Sequence, residues 1–161
     1  MTNLNTPEME TLVRYLDTYR GIIVFKAKGV ERSAGIEPLV PSGTSLLGIV
    51  KHLAYVERWW FQAVLGQREV EFPWSEDDPD ADWRIEQDES VDDIINLYRG
   101  EFAESQAILE GIGSLDDLFP QGDDQISARR VVIHMIEETA RHAGHADILR
   151  ELIDGSTGWG P

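Results

Sequence analysis

The sequence predicts an all-α protein, a four-helix bundle with one long acidic loop between the second and third helices. Three observations support this prediction: four stretches have apolar residues at helical spacing, their ends carry start and stop signals, and no segment alternates convincingly like a strand. The chain has 161 residues, of which 42% are hydrophobic. That is enough for a single domain, residues 1–161, with a core of its own.

The first two stretches begin with hydroxyl residues that can cap a helix. Thr6 precedes Pro7 and two glutamates, and the apolar pattern continues to about Val30. The second stretch starts between residues 42 and 45 and runs to Gly66, which suits a helix end. We therefore expect one helix over each of these ranges.

The last two stretches carry equally clear boundaries. The third begins at Ser90, which has Asp93 three residues later as in a capping box, and ends at Gly111 or Gly113. The fourth covers residues 127–155, from a serine to a glycine. No internal repeat is present, so the four helices are expected to pack as one bundle.

The segment between the second and third helices is strongly acidic. Residues 71–93 contain eleven Asp or Glu residues and one basic residue, Arg84. Two indole rings, of Trp74 and Trp83, can pack this segment against the bundle, so we expect an ordered loop. Loops of this length in compact domains often carry function.

The composition excludes several classes of function. A formal net charge of −16 repels the phosphates of nucleic acids and the surface of anionic membranes. The chain has no cysteine, which excludes disulfides and thiolate metal ligands. Because we find neither a signal-peptide pattern nor an apolar run that could cross a bilayer, we expect a cytoplasmic protein.

The histidines are the strongest candidates for chemistry, and there are four: His52, His134, His142 and His145. In the fourth helix, Glu138 and His142 are four positions apart, so both project from one face, along an otherwise apolar stripe. A buried carboxylate is unfavourable unless it is paired or ligates a cation. This pair therefore predicts a metal site.

His52 is expected to complete that site from the second helix. Its face also carries four apolar residues, Ile49, Val56, Trp59 and Ala63, and should point inward. Two imidazoles and one carboxylate leave open coordination positions, which suits a catalytic divalent metal, with zinc first and nickel or iron as alternatives.

Other assignments fit the same residues. A Glu–His pair at this spacing also occurs as an ion pair or at the surface, and a single histidine such as His52 is commonly a core residue. His134, His145 and Arg141 lie beside the stripe. They could contact the ligands, replace one of them, or lie at the surface.

Two segments resemble the DinB-like superfamily, in the actinobacterial branch related to mycothiol-dependent maleylpyruvate isomerases. They are LGIVKHLAYVERWWF in the second helix and RVVIHMIEETARHAGHADILRELIDG in the fourth, and the loop text DDPDADWR is similar too. The resemblance covers about residues 8–155. It implies a four-helix bundle that holds a metal through His52, Glu138 and His142, although many relatives have histidine at the position of Glu138.

The resemblance also implies a reaction. Relatives use low-molecular-weight thiols, so we expect a thiol-dependent S-transferase or isomerase that activates a mycothiol-type cosubstrate on the metal for attack on a small electrophile. A metal-dependent hydrolase and a non-catalytic metal-binding or dimerisation module are the alternatives. We also expect a homodimer, because the first two helices have more apolar positions than one stripe needs.

Overall fold

The computed structural model describes residues 7–158, which contain five α-helices and one β-hairpin. In chain order, the elements are α1 (Glu8–Ala27), α2 (Arg32–Ile36), α3 (Leu46–Glu57), α4 (Val91–Glu110), β1 (Leu118–Gln121), β2 (Asp124–Ser127) and α5 (Ala128–Asp154). The helix α1 packs along α5, and α3 packs along α4. The predicted all-α class is confirmed, with the four long helices forming the bundle.

The predicted caps of the later helices are confirmed. The hydroxyl of Ser45 accepts from the Gly48 amide at 3.1 Å at the start of α3. Ser90 and Asp93 form the expected capping box before α4. The helix α5 begins after a capping serine and ends at Gly155, which adopts a φ of 76°. These ends form through contacts within one turn, which is why the sequence predicts them well.

The first helix is shorter than predicted. It begins at Glu8, directly after Pro7, and ends at Ala27, three residues before the expected limit. The predicted cap, Thr6, lies outside the described residues.

The small hairpin before α5 was not predicted, since the sequence shows no alternating strand. Its strands have only four residues each, too few for a recognisable alternation. The strands pair antiparallel, and Gln121 lies opposite Asp124 across a two-residue turn. Gly122 occupies the first position of that turn with a φ of 62°, a conformation that glycine adopts without strain.

The second long helix changes its hydrogen-bond period after Glu57. Arg58–Leu65 form a π-helix that continues α3, and the Gly66 amide closes it by donating to the Phe61 carbonyl at 2.7 Å. Trp59 lies in this segment, and its side chain is 41% exposed, so its predicted inward orientation was wrong.

Two buried ionic networks cross the bundle between its apolar clusters. The Arg20 guanidinium donates to both carboxylate oxygens of Glu57 at 2.7 and 2.6 Å, and the Ser105 hydroxyl also donates to Glu57 at 2.7 Å. Arg58 and Gln62 similarly donate to Glu101 from α3's π-helical extension.

None of the helices within residues 7–158 is long and apolar enough to cross a membrane.

Replacing Glu57 with alanine should strongly destabilise the protein. The change leaves the buried Arg20 with only the partly exposed Asp17 as a partner at 2.8 Å, and breaking a buried ion pair costs about 3–5 kcal/mol. Urea unfolding measures this loss of unfolding free energy. As a control, Glu10→Ala removes the exposed pair with Arg14 and should change little. Equal small losses in both variants would contradict the prediction.

Candidate metal centre

The structure brings the three predicted ligands together. One donor atom from each of His52, Glu138 and His142 lies within 4.8 Å of the other two. The Oε1 atom of Glu138 is 3.0 Å from Nε2 of His142 and 3.7 Å from Nε2 of His52. A tetrahedral zinc ion about 2.1 Å from each ligand would hold such atoms about 3.4 Å apart. The donor set therefore fits a divalent metal with small side-chain adjustments.

The stripe on α5 turns inward as its spacing predicts. Val131, Met135 and Leu149 are buried, and His142 is only 6% exposed. The side chain of Glu138 is 19% exposed, so its carboxylate lies at the edge of the interior. This placement leaves one side of the cluster open.

The acidic loop contributes a residue that the sequence analysis did not single out. Asp82 lies in a short 3₁₀ turn, Ala81–Trp83, and is buried. Its carboxylate Oδ2 is 2.7 Å from Nδ1 of His52. The Nδ1–H group donates to this carboxylate, so when the ring is neutral its other nitrogen, Nε2, carries the free lone pair on the side of Glu138. Asp82 therefore orients His52 in the tautomer that a metal requires.

The indole of Trp83 holds the same imidazole from its face. The two rings are nearly parallel, with centroids 4.0 Å apart and an interplanar angle of 16°. His52 thus has a hydrogen bond at one edge and a stacked ring against its plane, which together restrict its rotation. The prediction that Trp83 packs the loop against the bundle is confirmed.

Two residues of α3 hold the loop in this position: Gly48 lets the loop backbone come close to the helix, and Lys51 supplies a positive charge. A side chain at Gly48 would place its Cβ 2.7 Å from the Trp83 carbonyl oxygen, so a larger residue would displace the backbone there. One turn later, the buried ammonium of Lys51 donates to the Arg84 carbonyl at 2.8 Å and pairs with Glu89 at 2.7 Å. These contacts hold the part of the loop that directly follows Asp82.

His145 lies next to the cluster on the following turn of α5. Its Nδ1 atom is 3.4 Å from Nδ1 of His142. Burial lowers the pKa of His145, and the neighbouring His142 and Arg141 lower it further. A neutral His145 can accept the Nδ1 proton of His142, which leaves Nε2 of His142 for a metal. Arg141 itself is exposed.

His134 lies elsewhere. Its ring packs against Trp60 with centroids 4.8 Å apart. Both residues line a pocket of about 540 Å³ that also contains Arg129 and Arg130 and none of the three cluster residues. Of the two histidines beside the stripe, only His145 therefore contacts a cluster residue within the described structure.

The cluster is electrostatically coupled. The hydrogen bond from His142, followed by the His52 imidazole 3.7 Å away, holds the pKa of the Glu138 carboxyl far below its usual range. Burial lowers the pKa of His52, but its hydrogen bond with Asp82 and the nearby Glu138 carboxylate outweigh burial, and the net pKa is raised. Every ion pair recorded for Glu138 within residues 7–158 is to a histidine.

Two small pockets, each about 280 Å³, lie beside the cluster. One is lined by His52, Asp82 and four tryptophans. The other contains His145 but none of the three cluster residues, and apolar and hydroxyl side chains of residues 40–44 and of the end of α5 complete its lining. The first pocket therefore offers a reactant a route to His52.

Asp82 was missed because the loop holds eleven acids and their spacing does not distinguish one from another. The only available signal was the loop text DDPDADWR, in which Asp82 directly precedes the tryptophan that packs on His52.

Comparison with known proteins agrees with the fold. A crystal structure of a conserved protein from Enterococcus faecalis matches with a TM-score of 0.73 and 13% identity, covering 94% of this chain and 99% of that one. No curated protein matches the chain. The family model for mycothiol S-transferases matches residues 11–155. The chain therefore belongs to the mycothiol S-transferase family, which is DinB-like.

Proposed function

We propose that this protein is a metal-dependent S-transferase that joins a mycothiol-type thiol to a small electrophile. The observation that carries this proposal is the convergence of two imidazole Nε2 atoms and one carboxylate oxygen beside an open pocket. Membership of the mycothiol S-transferase family supports the choice of a thiol over water as the nucleophile.

In this proposal His52, Glu138 and His142 hold the ion, and zinc suits their nitrogen and oxygen donors best. A divalent ion bound there lowers the pKa of a coordinated thiol and so supplies a thiolate near neutral pH. Asp82 and His145 hold the two imidazoles in the tautomers that present Nε2. Three protein ligands leave room for the thiol sulfur.

The setting of the reaction is part of the same proposal. A thiol-dependent reaction on small molecules fits the cytoplasm, and no nucleic acid is required. We propose a homodimer as well, since α1 exposes aromatic residues that a partner could cover, Tyr15 at 58% and Phe25 at 39%.

Loss of Glu138 should abolish both metal binding and turnover. We expect about one zinc ion per chain in the parent and none in Glu138→Ala, because two imidazoles alone do not complete the site. With mycothiol and 1-chloro-2,4-dinitrobenzene, the variant should lose at least about 100-fold in kcat/KM. Elemental analysis and dinitrophenyl absorbance measure the two effects.

The matched control for that experiment is His134→Ala, which removes a histidine from the same helix outside the cluster. It should keep parent values for both zinc content and kcat/KM. A parent that binds no added zinc, or that consumes electrophile equally well without thiol, would contradict the proposed function.

Asp82→Asn should weaken zinc binding without removing a ligand. The amide is a poorer acceptor for the Nδ1 proton of His52, and changes to such supporting groups lower metal affinity about 10–100-fold. Asp80→Asn is the control, because it removes the same charge from an exposed position two residues away. Competition with a chromophoric chelator measures both affinities. Equal losses would assign the effect to overall charge and refute a positioning role for Asp82.

Zinc affinity should fall as the solution becomes more acidic. A metal ligand must be deprotonated, and the raised pKa of His52 means that protons compete for it from above its ordinary range. We expect the affinity constant for zinc to drop at least about tenfold per pH unit below that pKa, because one or more ligands become protonated. Chelator competition between about pH 7.5 and 5.5 measures the slope. A constant affinity over this interval would contradict the prediction.

A further inference from the structure

The pocket beside His52 is lined by every tryptophan of the described residues. All four tryptophans in residues 7–158 line it, and we call it the tryptophan pocket: Trp59, Trp60, Trp74 and Trp83. Core packing alone does not account for this arrangement, because the Trp59 side chain remains 41% exposed.

The rings form an inner wall and an outer wall. Trp83 forms the inner wall, stacked on His52. The outer wall is an aromatic cluster in which Trp74 stacks on Phe72 at 4.4 Å, and Trp59 tilts toward both at 6.5 and 5.5 Å. Trp59 lies seven residues after His52, so helical spacing places both side chains on the same side of the helix. A flat molecule entering the pocket meets aromatic surface on two sides.

The lining carries no positive side chain besides His52. Its only carboxylate is Asp82, which already holds that imidazole. The two arginines next in sequence to pocket residues are paired elsewhere, Arg58 with Glu101 and Arg84 with Asp78. Aromatic faces are electron-rich, so together with Asp82 they disfavour an anion and favour neutral or cationic rings.

The volume limits the size of the guest. The pocket has a volume of about 280 Å³, slightly below the range of typical ligand sites, which starts at about 300 Å³. It suits one ring with a short substituent, and one end of that guest would lie beside His52.

We propose that the tryptophan pocket binds the electrophilic substrate and selects a single planar ring that is uncharged or cationic, such as a benzyl halide. This inference rests on the proposed function. In the substitution it implies, the thiol gives its proton to solvent and its sulfur bonds to the benzylic carbon. The halide leaves with the electrons of the broken carbon–halogen bond.

Binding can be tested with unreactive probes on zinc-loaded protein by quenching of tryptophan fluorescence. Benzyl alcohol and benzyltrimethylammonium should quench saturably, and benzenesulfonate should bind at least tenfold more weakly. Trp59→Ala should weaken benzyl alcohol binding at least fivefold, whereas Trp59→Phe should largely retain it. Tyr15→Ala is the control, since it removes an exposed ring from α1. Saturable binding that prefers benzenesulfonate would overturn the proposal, as would the absence of saturable binding.

A sugar ring also stacks on indole, so methyl α-D-glucopyranoside serves as a further probe. Binding of this glycoside in place of the benzyl probes would assign the pocket to the carrier of the thiol and overturn the inference.

Turnover separates this inference from the proposed function. With mycothiol, Trp59→Ala should lose at least fivefold in kcat/KM for benzyl chloride and keep the parent value for iodoacetamide, which has no ring. The chain has no cysteine that these reagents could alkylate. Equal losses for both electrophiles would refute the ring subsite. Thiol transfer to neither electrophile by the parent would instead refute the proposed function.

Discussion

The carboxylate of Glu138 lies between two imidazoles, and the net charge of the site depends on whether these two partners are protonated. Two other buried glutamates in the bundle, Glu57 and Glu101, each receive a guanidinium, from Arg20 and Arg58 respectively. A guanidinium is permanently charged, so those two pairs are complete by themselves. Imidazoles titrate near neutral pH, so the compensation at Glu138 is conditional. The divalent cation of the proposed site would supply the positive charge that this position lacks when the histidines are neutral.

The second determinant is a stripe on α3 that faces the acidic loop. Its members recur at helical spacing: Gly48, Lys51, His52 and Tyr55. Gly48 leaves room for the Trp83 backbone, and Lys51 donates to oxygen atoms of the loop. The ring of Tyr55 contacts that of Trp74 edge-on, with centroids 6.1 Å apart. The helix that carries a predicted ligand therefore also positions the loop whose Asp82 supports that ligand. Within this segment of eleven acids, buried Lys51 offsets the charge of Glu89.

Local signals predicted the helix ends and the pairing of Glu138 with His142, because each depends on residues within about one turn. The convergence with His52 was predicted from two inward-facing helix stripes and from the resemblance to DinB-like proteins, since no local signal links residues so far apart in the chain. Asp82 lies 30 residues from its partner, and its role depends on where a long loop folds. Helical spacing placed Trp59 on the face of His52 but could not show that this face is exposed at that point of the helix.

The two histidines of the cluster are supported unequally, and this couples the loop to the metal. His52 is held by a buried carboxylate at 2.7 Å, whereas His142 is held by an exposed imidazole at 3.4 Å. An anion raises the basicity of an imidazole more than a neutral ring does, so in the proposed metal site His52 would be the stronger ligand and the loop would tune it. Such coupling is reciprocal: if Asp82 strengthens metal binding, a bound metal must stabilise the loop in this position to the same extent. In the same proposal, a guest that stacks on Trp83 would contact the ring that packs against His52.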